Sequence, residues 1–206
     1  MKKKFSKRFK KLVSLISDKK SILIDEAIKN VKINCTTKFD ESIDLSCKLN
    51  LKQKKDDVGL RTNVNLPNGN GKKVRVAVLC EDTKVSEAKE AGADIFGSEN
   101  IVSDVTSGKI NFDKLVATPG MMPKMGKLGK ILGPKGLMPN PKLGTVTNDI
   151  KKAVKALKAG QIEIRNDKDG NIAASIGKKS FADDKISQNI NAFFETITKE
   201  KPTGIK

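Results

Sequence analysis

The stretch GKLGKILGPKGLMPNPKLGTVT, residues 126–147, is the most unusual segment of this 206-residue chain. It contains five of the sixteen glycines, three of the seven prolines, four lysines and no acidic residue. Its glycine spacing does not match the G-x-G-x-x-G fingerprint, and no G-x-x-x-x-G-K-[ST] motif occurs. Three interpretations stay open from residue chemistry alone. They are a nucleotide pocket, a structural loop over apolar side chains, and a basic surface whose N–H groups and lysines approach phosphates.

The residues around this stretch alternate between strand and helix patterns. VRVAVLC, residues 74–80, is a continuous apolar run typical of a strand buried on both faces. Strands alternating with helices predict a parallel sheet with helices on its faces. The other predicted strands are 95–96 and 114–117, and the predicted helices are 85–91, 100–106 and a helix capped by Thr147 and ended by Gly160.

Farther from the stretch, the apolar period changes to two. ESIDLSCKLNL (41–51) and RTNVNL (61–66) alternate strictly, which predicts half-buried strands. QIEIRNDKDGNIAASIG (161–177) predicts a hairpin that turns at residues 166–170. Helical spacing appears at 24–31 and 186–197. Both ends of the chain therefore have an α+β pattern that the middle lacks.

This contrast predicts an α/β protein with two lobes. Residues 1–68 and 159–206 would form a discontinuous α+β lobe, and residues 69–158 an inserted three-layer, Rossmann-like α/β lobe. The turn-rich PNGNG, residues 67–71, would be one of the two connections between them. Two connections side by side would act as a double hinge.

The charge predicts a polyanionic partner. Lys and Arg outnumber Asp and Glu by 41 to 24, giving a formal net charge of +17, which suits nucleic acid or an anionic membrane surface. No apolar run approaches the roughly 20 residues that a bilayer crossing needs. Phe5, Phe9, Leu12, Val13 and Ile16 fit one face of a basic N-terminal helix. Such a helix suits phosphates better than a membrane surface.

Enzyme chemistry has little support in the composition. The chain has no histidine, so the commonest general base and the usual nucleophile pairs are missing. Cys35, Cys47 and Cys80 are scattered and never spaced as CxxC, which predicts free thiols in a reducing compartment. We therefore expect no catalytic residue, no metal site and no cofactor. A nucleotide-using enzyme is the competing class, and a membrane-surface protein the third.

Several segments together resemble the L1 family of large-subunit ribosomal proteins. The run LGKILGPKGLMPNPKLGTVT is similar to the signature of that family. TKFDESIDL, LPNGNGKKVRV, NFDKLVATP and AGQIEIRNDKDG resemble further family segments in the same order along the chain. The resemblance implies the two-lobed L1-type architecture and a non-enzymatic protein at the base of the mobile stalk of the ribosome.

The resemblance also implies partners. A member of this family would bind large-subunit rRNA, assist the release of deacylated tRNA from the exit site, and in bacteria often repress its own operon mRNA. It would act as a monomer within the large ribosomal subunit of the cytoplasm, an organellar ribosome being the alternative. No membrane and no small-molecule substrate are implied.

The family places its main RNA contact on the discontinuous lobe. Carried over by motif, the rRNA-binding candidates are Lys38, Phe39 and Ser42 from TKFDES, and Arg165, Asn166, Asp167 and Lys168 from RNDKDG. The basic glycine-rich surface would be a secondary one, with Lys127, Lys130, Lys135 and Lys142. Phe39 offers an apolar face to a base or sugar, the cations bind phosphates, and Asp167 accepts from a ribose 2′-OH. Phe39 in the core, and RNDKDG as merely a turn, stay as alternatives.

The chain departs from the family pattern in three places. Asn68 stands where the family usually has His, and Gly120 where it usually has Asp. After KPTGIK the family normally continues into another strand and a Ser/Thr-Thr-Met-Gly turn that contacts RNA, whereas this sequence stops at Lys206. Weaker RNA binding than in a relative with that turn is therefore expected.

Overall fold

The computed structural model describes residues 5–15, 21–49 and 59–200. Helices and strands alternate as a mixed α/β fold, which confirms the predicted fold class. The helices are α1 (Lys7–Leu15), α2 (Ile24–Asn34), α3 (Val85–Glu90), α4 (Glu99–Thr106), α5 (Met122–Leu132), α6 (Ile150–Lys158) and α7 (Asp183–Glu200). The strands are β1 (Ser42–Lys48), β2 (Arg61–Asn65), β3 (Val76–Leu79), β4 (Ile95–Gly97), β5 (Lys114–Ala117), β6 (Gln161–Arg165) and β7 (Asn171–Lys178).

Two antiparallel ribbons join strands from opposite ends of the chain. β1 pairs with β7 and β2 pairs with β6, each as a two-stranded sheet. The alternation predicted for β1 is confirmed, since Ile43 is buried and its neighbours Ser42 and Asp44 are exposed. A bulge between Ile43 and Asp44 shifts the register, so Ile176 has no partner opposite it on β1.

The predicted pairing of β6 with β7 in a hairpin is wrong. The turn between them exists, but β6 hydrogen-bonds to β2 and β7 to β1, in separate sheets. Ile164 and Ile172 meet by packing in one apolar cluster rather than across a strand ladder. Each strand thereby gains a partner from the N-terminal part of the chain, which a short local pattern cannot show.

Helix α7 supplies the core that the two ribbons share. Phe193 and Ile197 pack with Val64 of β2, Ile164 of β6 and Ile172 of β7. One turn earlier, Ile186 and Ile190 pack with Ile28 of α2, Ile43 of β1 and Ile176 of β7. The predicted inward side chains of this helix are thus confirmed, except that Phe194 is partly exposed.

The middle of the chain forms a parallel sheet of order β4-β3-β5 with helices on both faces. Alternate residues of β3 face opposite sides. Ala77 and Leu79 pack in a cluster with residues of α4 and α5, and Val76 and Val78 in one with residues of α3 and α6. The parallel sheet predicted from the strand–helix alternation is confirmed, although β3 is shorter than the predicted 74–80.

The glycine-rich stretch is helical in its first third. Gly126 and Gly129 lie inside α5, whose Met125, Leu128 and Leu132 are buried against the sheet. The apolar layer expected beneath the stretch is therefore present, but the backbone N–H groups up to Leu132 belong to a helix and are not free to bind phosphates. The expected cap at Thr147 is also corrected, because the Asp149 side chain accepts from Lys152 N at the start of α6.

The two connections into the middle segment touch each other at a pair of glycines. A Cβ added to Gly160 would lie 2.4 Å from Gly69 Cα, and both glycines have positive φ, 107° and 64°. Only residues without a side chain allow backbones to approach so closely in that conformation. The contact between the two connecting segments therefore requires glycine at both positions.

We predict that Gly160→Ala lowers the free energy of unfolding by about 2–4 kcal/mol, because it adds both a clash and a strained φ. Gly126→Ala is the matched control, since it lies within α5 with open space at its Cβ position. It should stabilise the protein by about 0.5–1 kcal/mol through helix propensity. Urea unfolding of both variants measures this, and effects of the same sign would contradict the described contact.

Candidate nucleic-acid interface

One face of the β1–β7 ribbon is a row of polar and small side chains. Strand pairing places residues opposite each other on this face, and most of these side chains are short. The pairs are Ser42 with Lys178, Asp44 with Ser175, Ser46 with Ala173, and Lys48 with Asn171. Six of these eight residues are exposed, whereas Ser175 Oγ is buried and Lys178 is half-buried. The short exposed side chains let a nucleic-acid backbone approach the ribbon closely, and Lys48 lies exposed at one end of the row.

The loop that enters β1 is fixed to the end of β7. The Asp40 carboxylate accepts from Ser180 N at 3.0 Å and from Ser180 Oγ at 2.7 Å. Lys179 N donates to Glu41 O at 2.9 Å, and Lys178 Nζ to Asp40 O at 3.3 Å. The hydroxyl of Ser180, and then its N–H and the nearby lysines, lower the pKa of Asp40. These contacts tie the loop to the end of β7 in the absence of a ligand.

Phe39 projects from this fixed loop into solvent. Its side chain is 69% exposed, so the alternative that it belongs to the core is wrong. Lys38, beside it, is also exposed, and Ser42 begins the polar row of β1. An exposed aromatic ring on a rigid loop is costly in water and suits stacking on a base or sugar.

Glu41, in the same loop, contacts the residues before the loop and helix α1. Its carboxylate accepts from the Cys35 thiol, the Thr37 hydroxyl and Arg8 Nη2, the last at 3.1 Å, and these contacts lower its pKa to about 2. The Thr37 hydroxyl also lies 3.2 Å from Phe39 O. One hydroxyl proton serves one acceptor at a time, and the ionised carboxylate is the stronger acceptor. Burial and Glu41 together raise the pKa of Cys35.

The RNDKDG motif forms a tight turn held by Asp167. Its Oδ1 accepts from Asp169 N at 2.9 Å and Asn171 N at 2.7 Å, and its Oδ2 from Asn171 Nδ2 at 2.9 Å. The Asn171 side chain and then the backbone N–H groups lower the pKa of Asp167. Its carboxylate therefore holds the turn, which is the feature that the alternative interpretation of the motif describes, and the predicted RNA contact of Asp167 stays a prediction.

Of the remaining residues of this motif, one holds the turn in place and two are exposed cations. Asn166 Oδ1 accepts from Leu60 N at 2.6 Å and its Nδ2 donates to Asp167 O at 2.8 Å, so it fastens the turn to the residue before β2. Arg165, at the end of β6, and Lys168, in the turn, are exposed. These two cations are the part of the motif that can reach a phosphate.

The two predicted groups of contacts do not form one cluster. Ser42 pairs with Lys178 at one end of the ribbon, whereas Asn171, which follows the RNDKDG turn, pairs with Lys48 at the other end. Seven residue steps along β7 correspond to about 23 Å. An RNA that touches both groups must therefore extend along the polar face between them.

The four lysines of the glycine-rich surface lie apart from this ribbon. Lys127 and Lys130 are exposed on α5, and Lys127 lines an open groove of about 550 Å³ between α4 and α5. Lys135 lies in the following loop. Lys142 is next to Leu143, whose carbonyl accepts from Asn63 Nδ2 of β2 at 2.5 Å. The stretch thus connects the parallel sheet to the β2–β6 ribbon.

On β1, three residues of the polar row were not among the predicted contacts. Asp44, Ser46 and Lys48 follow Ser42 on the same face, and the strict alternation of ESIDLSCKLNL already places them there. The pairing with Lys178 and Asn171 could not be predicted, because it joins residues from opposite ends of the chain.

Comparison with known proteins shows the family of the chain. Residues 29–206 match the family model described as Ribosomal protein L1p/L10e family. The chain belongs to this family. A relative, the large ribosomal subunit protein uL1 of Pelagibacter ubique (strain HTCC1062), is 61% identical over 196 residues, which cover 95% of this chain and 86% of the relative.

The part of this L1-family chain that the structure describes contains neither a metal-binding cluster nor a membrane-spanning helix. No group of three or more His, Cys, Asp or Glu side chains there could hold a metal ion. Within the same residues, no helix combines the length and apolar character that crossing a membrane requires.

We predict an acid-sensitive contribution from Glu41. Its pKa is about 2 in the folded protein against a usual 4.5, so its contacts contribute fully above about pH 4.5 and are lost as the pH falls toward 2. Glu41→Gln should lower the urea midpoint at pH 6, and the difference from wild type should shrink as the pH falls from 4.5 to 2.5. A difference that stays constant over this range would show that these contacts do not form.

Proposed function

We propose that this protein is a structural, RNA-binding component of the large ribosomal subunit and that it binds large-subunit rRNA through the polar face of the β1–β7 ribbon. The exposed Phe39 on its fixed loop carries the proposal, because no contact within the described chain explains an exposed ring held there. Membership of a ribosomal protein family and the net charge of +17 support it. The large-subunit name of the 61% identical relative gives further support.

The residues on and around the ribbon would contact different parts of the RNA. Lys38, Lys168 and Arg165 are exposed cations that neutralise phosphates and fix the position of the RNA. Phe39 stacks on an unpaired base or a sugar, the Ser42 hydroxyl exchanges hydrogen bonds with a 2′-hydroxyl group, and the Asp44 carboxylate accepts from one. Asp167 and Asn166 act indirectly, by holding the turn that presents Lys168.

We place this RNA-binding surface on a discontinuous domain of residues 1–68 and 159–206, with residues 69–158 as an inserted domain. The sheets support this division, since each antiparallel ribbon joins one strand from each end of the chain and the parallel sheet uses only the middle strands. Gly69 and Gly160, in contact with each other, mark the two connections.

The inserted domain offers a second basic surface for a second RNA. Lys127, Lys130 and Lys135 are exposed on α5 and the loop after it, and Lys142 near the β2–β6 ribbon. We propose deacylated tRNA leaving the exit site as its partner, and the operon mRNA of this protein as an alternative ligand of the β1–β7 ribbon. The tRNA would contact the lysines of this second surface through its phosphates, whereas the mRNA would use the phosphate contacts that the ribbon offers to rRNA.

An enzymatic role is not supported. The chain belongs to a family of structural ribosomal proteins, and its sequence contains no histidine. The glycine-rich stretch, which raised the question of a nucleotide pocket, begins with a helix packed on the parallel sheet. We propose that the protein acts in the cytoplasm as a part of the ribosome, without cofactor or small-molecule substrate.

We predict that Phe39→Ala weakens binding to large-subunit rRNA by about 1–3 kcal/mol while leaving binding to random RNA nearly unchanged, because stacking on a specific base is lost. Phe194→Ala is the control, since this phenylalanine is 42% exposed on α7, the helix that packs against the apolar side of the ribbon and not its polar face. Filter binding with both RNAs measures the effect. Equal losses on the two RNAs would mean that Phe39 makes no specific contact.

A second prediction concerns where the specificity resides. A chain joining residues 1–68 to 159–206 through a short linker should keep its preference for large-subunit rRNA over random RNA. The isolated segment 69–158 should bind both RNAs weakly and equally, through lysines that contact only phosphates. Specific binding of large-subunit rRNA by residues 69–158 alone would refute the assignment of the ribbon.

A further inference from the structure

Helix α1 has the side chains of an RNA-binding element. Lys7, Lys10 and Lys11 are exposed, and residues 5–15 contain no acidic side chain. The rings of Phe5 and Phe9 stack with their centroids 4.8 Å apart, yet their side chains remain 55% and 46% exposed. Cations next to exposed aromatic faces are the combination that single-stranded nucleic acid prefers.

An ion pair places α1 beside the proposed rRNA site. Arg8 Nη2 lies 3.1 Å from Glu41 Oε1, and the Glu41 side chain is only 15% exposed. Glu41 stands between Phe39 and Ser42, two of the proposed rRNA contacts. The helix is therefore joined directly to the loop that presents Phe39, and its lysines extend the basic surface of that loop.

We propose that α1 is a second RNA-contacting element, which binds the RNA segment adjoining the one at Phe39 and which Glu41 positions through Arg8. This inference rests on the proposed function. Lys7, Lys10 and Lys11 would bind phosphates, and the Phe5–Phe9 pair would face a base. A basic helix with exposed phenylalanines also suits an anionic membrane. The ion pair favours RNA, because it holds the helix beside the polar ribbon.

The first test replaces Lys7, Lys10 and Lys11 together with Gln in the full chain. The control replaces Lys89, Lys152 and Lys155, exposed on α3 and α6, so that both variants lose the same charge. Each phosphate contact contributes about 0.7–0.9 to the slope of log affinity against log salt concentration. The α1 variant should lower this slope on large-subunit rRNA by about 2–3, and the control by less than 1. Equal slopes for the two variants would refute the proposal.

The second test uses Glu41→Gln, which adds one net positive charge. General electrostatics then predicts tighter binding to large-subunit rRNA, whereas a misplaced α1 predicts binding several-fold weaker with a lower salt slope. In the background of the three α1 substitutions, Glu41→Gln should have little further effect. Tighter binding, or an equal loss in both backgrounds, would overturn the positioning role of Glu41.

The remaining outcomes separate this inference from the proposed function. If wild type does not prefer large-subunit rRNA over random RNA, the proposed function fails, and the role of α1 with it. If wild type shows the preference but the α1 variant matches its control, only the role of α1 fails. If the α1 variant loses binding to vesicles containing phosphatidylserine and keeps the rRNA binding of wild type, the helix binds a membrane and the proposal is refuted.

Discussion

The arrangement of the described residues depends on Asn189, a fully buried polar residue of α7. Its Nδ2 donates to Ile176 O at 2.7 Å and to Gly69 O at 2.8 Å, and its Oδ1 accepts from Asn68 N at 3.1 Å. Ile176 is the extra residue of the β7 bulge, so its carbonyl needs a partner outside the strand ladder. One side chain thus fixes the ribbon that would bind RNA, the first connection into the middle segment and the long helix beneath both.

The proposed RNA site gains from this rigidity. Its two ends are presented by loops whose polar groups are already bonded, through Asp40 to Ser180 at one end and through Asp167 within the turn at the other. Loops that are ordered before binding lose little conformational entropy when RNA arrives. The carboxylates of Asp40 and Asp167 therefore organise the protein, while Lys38, Phe39, Arg165 and Lys168 stay available to the ligand.

Sequence patterns predicted local features better than distant pairings. The period of two placed Ile43 inward and Ser42 outward, and the apolar run at 74–80 indicated the buried strand β3. The pairing of β6 and β7 was wrong, because their hydrogen-bond partners lie about 100 or more residues away along the chain. The role of Asp167 could not be decided from the motif, since a turn and a ligand contact use the same residue types. The position of α1 depends on an ion pair between Arg8 and Glu41. A short sequence pattern cannot predict this pair, because the two residues lie far apart along the chain.

The pairing of β1 with β7 has a consequence for synthesis of the chain. Leu45 pairs with Ala174, which leaves the ribosome about 130 residues later. At the usual 5–20 residues per second, β1 waits roughly 6–26 s for its partner. Meanwhile β3, β4 and β5 pair with one another, apart from a bridge between Ala117 of β5 and Val146, and all of these residues are complete long before β7 appears. The parallel sheet can therefore form first during translation, while the apolar side of β1 remains open to chaperones until β7 emerges.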